Sequence, residues 1–151
     1  MLAALRRFLT DVSRDESQVV VGEDEIQLAA AALLFHVIAV DGAVSPDECA
    51  MLTDLLARRF DLDPAEAKSL VRAAETADAE AVDLYGFTSV LKRKLDEADR
   101  ARIIEMMWKL VYADGDVHEF EDNAVWRVAE LLGIPSQTRI RLKKKVRDDA
   151  A

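Results

Sequence analysis

The sequence predicts an all-α protein, a compact bundle of about eight helices, and three observations predict it. Apolar residues recur at three- and four-residue spacing along most of the chain. Helix-breaking residues are few, five Gly and three Pro in 151 residues, and Val, Ile and the aromatic residues never alternate for long. A helix-corner-helix pattern occurs twice. Asp41-Gly42-Ala43-Val44-Ser45-Pro46-Asp47-Glu48 and Asp114-Gly115-Asp116-Val117-His118-Glu119-Phe120-Glu121 share Asp, Gly, Val and Glu in register, 73 positions apart.

Each element has its own signal. Leu2, Leu5, Phe8 and Leu9 share one face of a short helix over 2–12, followed by a polar connection. Residues 1–22 are therefore read as an N-terminal helix and connection, and 23–151 as the helical domain, one globular unit overall. Ile26, Ala30, Leu33, Leu34, Val37 and Ile38 follow the 3.6 period of a helix over 23–41, which Gly42 ends as a left-handed cap. Ser45, Pro46 and Glu48 open the next helix, to about Phe60, as N-cap, first helical residue and capping-box partner. Asp63-Pro64-Ala65-Glu66 repeats that start for a helix over 64–75. Asp78 is read as the cap of a helix over 79–95, and Asp96 as the cap of one over 97–114 with Ile103, Met106, Met107, Leu110 and Val111 inward. A helix over 119–132 closes at Gly133 and Pro135, and Ser136 starts a basic last helix. The stretches from Ile26 to Phe60 and from Asp99 to Leu132 align, so two helical hairpins related by an approximate two-fold are expected.

Composition narrows the function. Apolar residues make up 51% and charged residues 32%, which excludes disorder as the reading. The single cysteine, Cys49, rules out an internal disulfide framework and a Cys-based zinc site. Net charge is −9, unevenly spread: residues 136–151 carry six basic and two acidic side chains, while the rest carries fourteen basic and twenty-seven acidic. An acidic body of this kind repels nucleic acid and suits cations or a basic partner. No apolar run approaches the ~18 residues of a membrane span. The stretch Met1–Thr10 lacks the apolar core and cleavage site of a secretory signal. A cytoplasmic location is expected.

The corner acids have a plain reading and a functional one. In the plain reading, Gly42 is a C-cap, Ser45-Pro46-Asp47-Glu48 is a capping box, and the Asp residues serve backbone N–H groups. Three observations favour more. Asp41 and Asp114 stand in the last turn of their helices, where an acid opposes the dipole by ~0.3–1 kcal/mol. They continue the inward stripes, as do Glu48 into Met51, Leu52 and Leu55, and Glu121 into Ala124, Val125 and Val128. Two carboxylates at ~5 Å repel by roughly 3 kcal/mol at an effective dielectric near 20. A cation, a proton or a basic side chain would remove that repulsion. Oxygen donors select a hard ion, Ca²⁺ or Mg²⁺. The candidate ligands are Asp41, Glu48, Asp114 and Glu121, with Asp47, Asp116, His118 and Glu119 as additional candidates. His118 would add a nitrogen to the second corner and favour a transition metal. The loop is no EF-hand: counted from Asp114, its sixth position is Glu119 and its twelfth Val125.

The duplicated Asp-Gly-x-Val-x-x-x-Glu corners, with Phe35-His36-Val37-Ile38-Ala39-Val40 and Trp108-Lys109-Leu110-Val111-Tyr112-Ala113 before them, resemble the TerB-like tellurite-resistance family over about residues 23–147. The resemblance implies a domain of seven or more helices with pseudo-two-fold symmetry and a divalent-cation site made by acids at the corners. It implies a role in tellurite resistance, stress response or membrane-linked complexes. Asp41, Glu48, Asp114 and Glu121 are the positions onto which the family's acids carry. Ala43 stands where the second copy has Asp116, so the first corner is the poorer ligand set.

Catalysis has little to stand on. There is no nucleophile elbow, no phosphate-cradling loop and no Cys/His pair, and an acidic neighbour such as Glu48 would deactivate Cys49. His36 is read as a satisfied core or boundary residue, and Trp108 and Trp126 as core anchors. The basic run from Arg139 to Arg147 is a solvated face in the plain reading and a contact for an anionic membrane or acidic partner in the functional one. The expectation is a non-enzymatic, cation-binding or cation-sensing interaction module with a protein partner. The alternatives are a helical scaffold whose corner acids are only caps and, third, a metal-dependent enzyme.

Overall fold

The computed structural model describes residues 23–40, 42–114 and 117–150, the side chains of Glu23, Asp114 and Ala150 excepted. The helix expected over 2–12 lies outside these residues. The described residues form seven α-helices and one 3₁₀ turn and contain no strand. They are α1 (Glu23–Ala39), α2 (Pro46–Phe60), α3 (Pro64–Glu80), α4 (Tyr85–Lys94), α5 (Glu97–Val111), the 3₁₀ turn Tyr112–Asp114, α6 (Glu119–Leu131) and α7 (Ser136–Ala150).

Helix α1 is the axis of the molecule. Every residue from Leu28 to Leu34 is buried, so this helix is apolar all round rather than along one stripe. The run Ala29–Ala32 makes that possible, because small side chains let several neighbours approach the helix at once. Helices α2, α3, α4, α5 and α6 all pack against it. The packing is the one an exchange of two hairpins would give. Helices α1 and α2 pack together as α5 and α6 do, α1 meets α6 as α5 meets α2, and α1 meets α5.

Local signals set most boundaries. Ser45 and Asp63 cap α2 and α3 through complete capping boxes, with Pro46 and Pro64 in the first turn. Asp96 caps α5 by accepting from the Asp99 N–H at 2.8 Å. Gly42 and Gly133 take the left-handed conformation, φ +90° and +72°, that L side chains avoid. Asp61 closes α2 in the same region at φ 54°.

Helices α1 and α5 end at Ala39 and Val111, short of the expected 41 and 114, and one boundary departs further. Helix α3 runs on to Glu80 instead of stopping at 75, and the next helix starts at Tyr85 instead of 79. Asp78 is therefore inside α3 and caps nothing. Ala73, Ala74, Ala77 and Ala79 are strong helix formers and no breaker interrupts them. The Asp78 carboxylate is engaged instead by the His36 ring, Nδ1 to Oδ1 2.8 Å, which ties α3 to α1. Asp83 takes over the turn by accepting from the Tyr85 N–H at 2.9 Å.

Helix α7 is stitched to the body. Trp108 of α5 is fully buried and donates its indole N–H to the Arg139 carbonyl at 3.2 Å. Lys143 stands over the same ring, 5.2 Å from its centroid, and pairs with Asp122 of α6 at 2.7 Å. Lys145 pairs with Glu105 of α5 at 2.9 Å, and that hydrogen bond raises the Lys145 pKa. Trp126, expected in the core, is 44% exposed. Glu121, Ala124, Val125 and Val128 define the inward stripe of α6, and Trp126 falls off it.

Candidate functional site

The first corner joins α1 to α2 through residues 40–45. Glu48, the third residue of α2, turns inward and is only 4% exposed. Its Oε1 accepts from the Ser45 N–H at 3.0 Å, while Ser45 Oγ accepts from the Glu48 N–H at 3.1 Å. Among the described residues no basic side chain pairs with Glu48. Asp47, one position earlier, is exposed. Asp41 lies outside the described residues.

The second corner follows α5, whose end tightens into the 3₁₀ turn Tyr112–Asp114. That turn packs against both α2 and α7. Glu121, the third residue of α6, is 2% exposed and accepts from the His118 N–H at 3.3 Å. His118 and Glu119 are exposed. Asp116 and the side chain of Asp114 lie outside the described residues.

Glu48 and Glu121 thus occupy the same place in two helices, buried in the first turn with one oxygen on the N-cap N–H. That location is electrostatically favourable, because first-turn N–H groups and the helix dipole stabilise a negative charge. The donor set fits a hard divalent cation in kind, since carboxylate oxygens are the ligands such ions take. Among the described residues no three His, Cys, Asp or Glu side chains come together as a metal cluster. Asp41, Asp116 and the side chain of Asp114 are outside that search.

The basic run divides on inspection. Lys143 and Lys145 are committed to Asp122 and Glu105, and Arg147 to Asp148 at 3.4 Å. Arg141 and Lys144 are exposed and form no ion pair among the described residues. The His36–Asp78 pair joins residues 42 positions apart, and no local sequence signal points to it.

No curated protein matches the chain. A solved structure, a protein of unknown function from Porphyromonas gingivalis W83, has the same fold with a TM-score of 0.63 at 16% identity, over 86% of this chain and 99% of that one. The family model described as tellurite resistance protein TerB matches residues 27–144, from the first turns of α1 to the middle of α7 and across both corners. The chain belongs to the TerB family of tellurite-resistance proteins.

Proposed function

We propose that this TerB domain is a non-enzymatic interaction module of the tellurite-resistance or stress-response type, stabilised by a divalent cation at its corners. The observation that carries the reading is the pair of buried first-turn carboxylates, Glu48 and Glu121, with no basic side chain paired to Glu48 among the described residues. Glu48 and Glu121 would hold the ion together with Asp41 and Asp114, and Asp116 would add an oxygen at the second corner only. A bound ion would supply positive charge between carboxylates that otherwise repel, and so couple cation level to the packing of the α1–α2 and α5–α6 hairpins. A partner protein would read that packing.

The test is calorimetric titration of chelator-treated protein with Ca²⁺, Mg²⁺ and Mn²⁺, with melting temperature followed in parallel. A ligand that binds only the folded state raises stability by RT ln(1 + [L]/Kd). Heat of binding and a concentration-dependent rise are expected. Three ions without effect at millimolar level would end the cation reading.

A second reading has its own observation. Both carboxylates already serve as capping acceptors, at 3.0 and 3.3 Å, and a scaffold needs nothing more from them. Glu48→Gln separates the two, because Gln keeps the capping acceptor and removes the charge. The scaffold reading expects unchanged stability with and without ions. The cation reading expects the ion-dependent increment to disappear.

A further inference from the structure

The exposed faces of α6 and α7 carry a feature that neither the corners nor the core explains. The Asp122–Lys143 pair fixes the register between these two helices, which the short connection at 132–135 folds back on each other. On α6 Trp126 stands one turn from Asp122 toward that connection, and on α7 Arg139 and Ile140 stand one turn from Lys143 toward it. Trp126 and Ile140 are 44% and 41% exposed. Leu142 and Val146 sink the opposite face of α7 into the core. Arg141 and Lys144 therefore project along the same outer crest as Ile140, at helical spacings of one, three and four residues.

We propose that Trp126, Ile140, Arg141 and Lys144 form a docking face for an anionic lipid surface. The chemistry is complementary at two levels. An indole and a branched aliphatic side chain suit the boundary between headgroups and acyl chains, and cations with long apolar stems suit the phosphate layer above it. Arg141 and Lys144 suit that role because, among the described residues, the ion pairs of this helix use Lys143, Lys145 and Arg147. Two acids beside this face are engaged in ion pairs: Asp148, one turn past Lys144, with Arg147, and Asp122, one turn before Trp126, with Lys143. The crest is convex, the outer side of a helix, so it matches a plane surface better than the groove-and-ridge fit of peptide recognition. The face is separate from the corners, so this inference stands whether or not they bind an ion.

The experiment uses the full chain and two kinds of vesicle, phosphatidylglycerol mixed with phosphatidylcholine, and phosphatidylcholine alone. Co-sedimentation is expected with the first only, and it should fall as salt is raised. Arg141→Gln with Lys144→Gln should weaken it by about tenfold or more. Lys143→Gln with Lys145→Gln should lower stability and leave most of the binding. Tryptophan emission gives a second readout, since Trp108 is fully buried and Trp126 is not. Anionic vesicles should shift emission to the blue in the wild type, and Trp126→Phe should remove the shift. The proposal is overturned if the wild type ignores anionic vesicles, or if the Arg141/Lys144 variant binds them as well as the wild type does. Retention on immobilised polyglutamate without vesicle binding would also overturn it and assign the face to an acidic protein.

Discussion

At the first corner Ser45 and Glu48 exchange two hydrogen bonds, with Pro46 holding the first helical position, whereas at the second His118 stands at the N-cap and Glu121 reaches back to its N–H at 3.3 Å. The approach differs too. Helix α1 ends at Ala39 ahead of a left-handed Gly42, while α5 tightens into a 3₁₀ turn before the corner. What both corners keep is the buried glutamate in the first turn of the outgoing helix. The capping hydroxyl is present at one and replaced at the other, so burial of the carboxylate does not depend on a Ser cap. The two glutamates and the neighbouring aspartates are what a cation would need, and the Ser-Pro start is what a helix alone would need. The first corner invests in helix initiation and the second in acid density.

The largest test of the comparison concerns the helices that lead into the corners. Trp108 stands where the first hairpin has Phe35, yet Trp108 is fully buried and bonded to α7 while Phe35 is only partly buried. Trp108→Ala should cost about 3–5 kcal/mol in urea unfolding, the range of large core truncations, and Phe35→Ala clearly less. Equal costs would mean that the hairpins contribute alike.

Next comes the ion. With Ca²⁺ or Mg²⁺ at a hundredfold excess over Kd, stabilisation should reach about 2.7 kcal/mol. Glu48→Gln and Glu121→Gln should each erase most of it. Asp114→Asn should weaken binding more than Asp41→Asn, because the second corner has more acids. The reverse order in calorimetry would count against ligand number as the deciding factor.

Capping gives a smaller contrast, read in chelator. Ser45→Ala removes a hydroxyl that accepts the Glu48 N–H and should cost about 1 kcal/mol. His118→Ala should stay within about 0.5 kcal/mol, as expected for an exposed side chain whose backbone N–H does the bonding. Two equal losses would show that the histidine ring acts as a cap as well.

The smallest effect belongs to the seam between α6 and α7. Lys143→Gln breaks a half-exposed pair with Asp122 and should cost ~0.2–1 kcal/mol, shrinking as salt is added. A larger, salt-independent loss would assign the weight to the contact with the Trp108 ring instead.

Much of this was legible in one dimension, and the reason is that the signals act within a turn of helix. A Ser or Asp followed by Pro and Glu starts a helix because its oxygen meets an N–H three residues on, and a Gly ends one because it alone accepts positive φ without strain. Ser45, Asp63, Asp96, Gly42 and Gly133 behave accordingly. The inward course of Glu48 and Glu121 followed in the same way from the stripes that they continue. Residue type alone assigns Trp126 to the core, whereas its spacing from Ala124, Val125 and Val128 puts it off the stripe, and it is exposed.

Tertiary structure decided what depends on neighbours far along the chain. Asp78 had the composition of a cap and became a mid-helix partner of His36, because the packing of α3 on α1 offered an imidazole where sequence offered only a local turn. Helix α1 had the pattern of a stripe and became an axis buried on every side, because five helices found room against its alanines. The last helix had a run of six cations, and among the described residues three of them, Lys143, Lys145 and Arg147, entered ion pairs while Arg141 and Lys144 stayed exposed on the outer crest. Which ones they are was set by where Asp122 and Glu105 came to stand, a distance that no spacing along α7 encodes.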